Sequence, residues 1–166
     1  MNKMLTAACL LSGMVASAAA LAEPLNIEGI GLSRDVSCKG QDVNITGNAN
    51  VVHLTGECGA VLIYGSEHEV TLETATSLTV SGAAIEVVAD QVNALNVDTS
   101  DNQVRTAVIA GEQPAVVTVE GAEHELDLHF DGEAKLSVIG VSQLVRWSGD
   151  EPEVQLGGID NKVERK

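Results

Sequence analysis

The chain has 166 residues, 24 of them acidic against 9 basic, with a net charge of −15 and a pI near 4.4. That charge repels phosphate backbones and anionic lipid surfaces, which argues against nucleic acid as a partner. Tyr64, Phe130 and Trp147 are the only aromatic residues, so the core must be aliphatic.

The first element is an export signal. Lys3 is followed by an apolar run from Leu5 to Leu21, which closes on Ala20-Leu21-Ala22 before Glu23-Pro24. A charged start, an apolar middle and a small-x-small end are the parts of a secretory signal peptide, assigned to residues 1–22. A retained anchor or a lipidated Cys9 fits less well: the run is short and Ala-rich, and the better cleavage site lies after Cys9. The expected location is periplasmic or secreted. No later apolar run is long enough to span a bilayer as a helix, so no transmembrane segment is expected in the mature chain. Cys38 and Cys58 remain after cleavage, and two cysteines in an exported chain read as one disulfide.

Residues 23–37 are expected to form an N-terminal cap, and residues 38–166 a repeat domain. The repeat is visible once Gly is used as its anchor. Its unit is apolar-x-apolar-x-Gly, four residues, then apolar-x-apolar. Val43-Asn-Ile45-Thr-Gly47 leads to Val52-His-Leu54, and Val61-Leu-Ile63-Tyr-Gly65 leads to Val70-Thr-Leu72. Later units are anchored at Gly82, Thr99, Gly121, Gly140 and Gly158, at intervals of about 18 residues, and a weaker copy is anchored at Gly29. Of the four apolar slots in each full unit, only Thr106 and Arg165 break the pattern.

Apolar and polar residues alternate within each half-unit, the period of a strand with one buried face. Gly suits the corner between two strands because it reaches φ > 0 without a Cβ clash. Three residues after the anchor stands Asn50, His68, Ile85, Asn102, His124, Gln143 or Asn161, a column able to stack into a ladder. The four-residue link also fits antiparallel hairpins in a sandwich or barrel. Two features favour stacked coils: like residues recur at one offset, and Cys38 and Cys58 lie about one repeat apart. Coils about 4.8 Å apart suit the Cα separation of a disulfide. The expected fold is therefore all-β, a single-stranded parallel β-solenoid (β-helix) of seven to eight coils.

The stretch Cys38-Lys-Gly40, Val43-Asn-Ile45-Thr-Gly47, Asn50-Val-Val52-His-Leu54-Thr-Gly56-Glu-Cys58, Val61-Leu-Ile63-Tyr-Gly65 resembles a bacterial family known as domain of unknown function 3060. The resemblance extends over about residues 36–130. His68 departs from the Asn that the family favours. The resemblance implies an exported β-repeat domain and no particular activity.

Chemistry-bearing constellations are sparse. His68 and His124 each lie within Glu-His-Glu, but three coils separate them, too far for one metal. His124, Asp127 and His129 form the closest candidate metal set. Asp98, Asp101 and Asn102, and Asp150, Glu151 and Glu153, lack the spacing of a calcium loop. There is no G-x-S-x-G and no evident Ser/His/Asp arrangement. Arg105 and Arg146 share an outward offset with no acid clearly paired to them. Carbohydrate binding relies on exposed aromatic platforms, for which Tyr64 is the one good outward candidate.

No catalytic residue, no cofactor and no metal are therefore assigned. The expected function is that of an exported, non-catalytic module of the cell envelope that is structural or holds another macromolecule, protein or polysaccharide, on a flat sheet face. A polysaccharide-active β-helix enzyme and a periplasmic metal-binding protein are the alternatives. Residues 23–37 are placed to cap one open end, and the polar tail 159–166 to cap the other unless a partner docks there.

Overall fold

In the computed structural model, which describes residues 23–166, each alternating half-unit forms a strand, and each strand pairs with its counterpart about one repeat away. The signal-peptide assignment lies outside the described residues. The strands are β1 (Leu25–Ile30), β2 (Ser33–Ser37), β3 (Val43–Asn48), β4 (Val51–Ser66), β5 (Glu69–Ala83), β6 (Glu86–Val92) and β7 (Ala94–Ser100). They continue as β8 (Gln103–Ile109), β9 (Ala115–Ala122), β10 (Glu125–Asp131), β11 (Ala134–Val141), β12 (Leu144–Gly149), β13 (Glu153–Ile159) and β14 (Lys162–Arg165). Among the described residues there is no helix.

All pairings are parallel, which removes the hairpin alternative and makes the fold a β-solenoid of about eight coils. Two broad faces result. The first stacks β1, β3, the ends of β4 and β5, then β7, β9, β11 and β13. The second stacks β2, the starts of β4 and β5, then β6, β8, β10, β12 and β14. The anchors fall in register, Gly29 on Gly47, Gly47 on Gly65 and Gly65 on Gly82.

The inward residues form aliphatic columns. Ile45, Ile63, Val80, Val97, Val119 and Val138 are fully buried in one of them, and Val52, Val70, Val87, Val104, Leu126 and Val145 in its counterpart. A short third side closes each coil and adds a column that the sequence pattern did not reveal: Cys58, Ala75, Val92, Val108 and Phe130. Phe130, next to the end of β10, is thus a core residue, and its ring lies 6.5 Å from that of Trp147.

Coils of unequal length are absorbed near this third side. The register shifts between Leu54 and Glu57, and again between Val88 and Gln91. A one-residue slip within a face would turn every following side chain from core to solvent, so the irregularity is confined to the corner. Cys38 and Cys58 are joined by a disulfide on adjacent coils, with their Cα atoms 4.8 Å apart.

The anchor glycines meet a second demand besides positive φ. A Cβ on Gly65, whose φ is 136°, would stand 1.9 Å from the carbonyl oxygen of Gly47 on the coil below. The backbone there passes too close to its neighbour for any side chain.

The ends differ from the expected caps. Residues 25–37 are themselves the first coil, since β1 pairs with β3 and β2 with β4. Residues 162–165 form β14 and extend the second face instead of folding over the core. Val154 and Leu156, which occupy inward slots of the eighth coil, are 42% and 53% exposed. Arg165 reaches back over the indole of Trp147, 5.0 Å from the ring centre.

Candidate functional site

Two features of the molecule qualify as sites from their residue types: the polar corner column and the outward surfaces of the broad faces. The corner column is buried. Asn50, His68, Asn102, His124 and Gln143 are all inaccessible, as is Ile85. The corner backbone N–H donates to the side chain one coil further on wherever that side chain is polar, a step that Ile85 interrupts after His68. Leu32 N–H donates to Oδ1 of Asn50 (3.0 Å), Asn50 N–H to Nδ1 of His68 (3.2 Å), and Ile85 N–H to Oδ1 of Asn102 (3.0 Å). The series continues from Asn102 N–H to Nδ1 of His124 (3.1 Å), from His124 N–H to Oε1 of Gln143 (3.0 Å), and from Gln143 N–H to Oδ1 of Asn161 (2.9 Å).

The same side chains also donate. Nδ2 of Asn102 serves the carbonyls of Gly82 (2.9 Å) and Asp98 (2.8 Å). His124 accepts at Nδ1, so its proton sits on Nε2, which donates to the Glu120 carbonyl at 2.9 Å. Burial holds the His124 pKa below its ordinary 6.5, while the Glu120 carbonyl and the carboxylates of Asp98 and Asp101 act in the opposite direction. The histidines of this column therefore stand in for Asn, each with an acceptor, Nδ1, and a donor, Nε2, on opposite sides of Cε1. Gln143 Nε2 is the exception: it is buried with no partner among the described residues.

The candidate metal set is not brought together. His124 is inside the corner with both ring nitrogens engaged by backbone. His129 lies on the solvent side, where its Nδ1 meets Oγ of Ser148 at 3.0 Å. Asp127 pairs with Lys166. Among the described residues no group of three or more His, Cys, Asp or Glu side chains converges on one point.

The second face carries charge. Arg105, Asp127 and Arg146 occupy successive coils of one outward column, and Glu125 pairs with Arg146 at 2.6 Å. The sequence reading left these arginines without an acid. The stacking supplies two, because Asp127 sits on the coil between them and Glu125 on the same strand as Asp127. Writing the units one under another puts 105, 127 and 146 at a common offset, and that alignment was the available signal. Together they rim a shallow depression open to solvent. The exposed Arg146–Glu125 pair contributes at most about 1 kcal/mol.

The first face is different. Its central outward column runs through Asn26, Asn44, Leu62, Thr79, Asn96, Thr118, Ser137 and Gln155, without a charge over eight coils. Asn44 Nδ2 donates to Oδ1 of Asn26 at 3.0 Å, a surface amide pair next to Leu62. Beside it, Thr46, Tyr64 and Ser81 are in register, and Tyr64 is 61% exposed.

Fold and surface together define a small β-solenoid repeat protein with an internal polar ladder and two broad faces, the central outward column of the first uncharged and that of the second charged. The chain resembles the family whose model is described as Protein of unknown function (DUF3060), which matches residues 45–88, from the second coil into the fourth. The matched stretch is narrower than the 36–130 over which the motif was traced. No curated protein and no solved structure matches the chain.

Proposed function

We propose that this is an exported, non-catalytic β-solenoid module of the cell envelope that holds another macromolecule on its first sheet face. The observation that carries the reading is the contrast between the faces. In a chain with 24 acidic residues, one column crosses eight coils uncharged, with the exposed Leu62 on its third coil and the exposed Tyr64 beside it. Charged side chains are depleted and tyrosines enriched where surfaces bind. A stacked parallel sheet is also rigid, so little ordering entropy opposes docking. The disulfide between Cys38 and Cys58 fits an oxidising compartment, in keeping with the signal-peptide reading of residues 1–22.

Affinity capture from the envelope fraction of the protein's own cells tests this, with residues 23–166 as bait. Tyr64→Ala combined with Leu62→Ser should abolish capture, and Arg105→Glu on the other face should leave it intact. Equal capture by both variants would contradict the assignment of the face.

A further inference from the structure

We infer that the occupant of the first face is an extended, uncharged glycan seated on Tyr64, an inference that rests on the proposed binding role of that face. The Tyr64 ring is the only exposed aromatic surface among the described residues, since Phe130 and Trp147 are buried. An exposed ring offers its apolar face to the C–H groups of a pyranose and its hydroxyl to the sugar's oxygens. Sugar hydroxyls need partners that both donate and accept, and hydroxyl and amide side chains are of that kind. Such groups surround the ring: Thr46 and Ser81 flank Tyr64 on the adjacent coils, and Asn44 and Thr79 flank Leu62.

Spacing and charge narrow the ligand class. Equivalent side chains recur every coil, about 4.8 Å apart, close to the rise of one sugar unit in an extended chain. A flat face suits a ribbon-like, β-linked chain better than a coiled one. The window holds no cation to pair with uronates or phosphates. It is bounded by carboxylates, Glu28 on the first coil and Asp98 on the fifth, which repel an anionic polymer and accept hydrogen bonds from a neutral one. A protein partner would be expected to bring basic groups to a surface this acidic, and the charged second face is the better place for them.

Affinity electrophoresis of residues 23–166 tests the inference, in gels containing hydroxyethylcellulose, lichenan or glucomannan, with polygalacturonate as the charged control. At least one neutral β-glycan should retard the protein, and polygalacturonate should not. Tyr64→Ala should weaken the retardation at least tenfold. Tyr64→Phe should retain most of it, and Arg105→Glu all of it. Unchanged circular dichroism and melting temperature show that Tyr64→Ala remains folded. Retardation that survives Tyr64→Ala, or preference for polygalacturonate, overturns the inference. If all three neutral glycans fail while envelope capture persists through the same face and is destroyed by protease treatment of the envelope, the ligand is a protein. The glycan inference then falls and the proposed function stands. If glycan retardation and envelope capture both fail, both fall.

Discussion

At corners occupied by Asn, one side chain settles the hydrogen bonds of three backbone groups. Asn102 accepts from Ile85 N–H and donates to the carbonyls of Gly82 and Asp98. Leaving a buried backbone group unpaired costs about 1–3 kcal/mol. Asn102→Ala should therefore destabilise the protein by at least about 2 kcal/mol in denaturant unfolding, whereas Asn48→Ala, on the exposed rim, should stay within about 0.5 kcal/mol. His124 performs the same task only when neutral, because its Nδ1 must accept from Asn102 N–H. Burial lowers its pKa below 6.5, so the unfolded chain takes up a proton at a higher pH than the folded one. The stability this residue contributes is complete above about pH 6.5 and is lost as the pH falls from there towards the folded value. Between about pH 7.5 and pH 5.5 the wild type should lose more stability than His124→Asn, which does not titrate; equal losses would remove His124 from the acid response. The occupancy of this column by Asn, His and Gln was legible in the sequence from its constant offset. Its burial from Asn50 to Gln143 was not, because the residues are mostly polar and nothing in their spacing showed that the corner turns inward.

Along a strand, alternation decides which side chains enter the core. Val80 is fully buried, and its neighbour Thr79 points to solvent in register with Leu62 and Asn96. Val80→Asp places an unpaired charge among aliphatic side chains and should cost several kcal/mol, against under about 1 kcal/mol for Thr79→Asp. Similar melting temperatures for the two variants would show the register to be wrong. Two-residue periodicity made these faces readable, since Val43, Ile45, Val52 and Leu54 announce two strands and their inner sides. The third side was not readable, because one inward residue per coil has no period. Cys58, Ala75, Val92, Val108 and Phe130 differ in size and lie among turn residues. The disulfide pins this side between the first two links of the stack, and replacing Cys38 and Cys58 by Ser should destabilise the protein by about 2–4 kcal/mol.

For the molecule as a whole, stability is a chain of neighbour contacts, so position along the axis matters as much as residue type. Leu156 occupies the slot equivalent to Val80 yet is half-exposed, because it lies on the last coil. Leu156→Asp should therefore be several-fold milder than Val80→Asp in the same melting assay. The repeat could be counted from the sequence, but a repeat read in isolation treats every unit as interior, which is why residues 159–166 looked like a cap. The charge contrast between the central columns of the two faces was hidden for a similar reason: it arises between residues such as Arg105 and Asp127 on one face, and Thr79 and Asn96 on the other, that only stacking makes neighbours. The central claim is that stacking itself, and paired cysteines test it most directly. Thr79 and Asn96 are in register on adjacent coils of the first face, and Thr79 and Asp90 would face each other across the four-residue link only in an antiparallel hairpin. Oxidation of Thr79→Cys/Asn96→Cys should give an intramolecular crosslink in high yield, and Thr79→Cys/Asp90→Cys should give none. Crosslinking of the second pair and not the first would contradict the parallel solenoid.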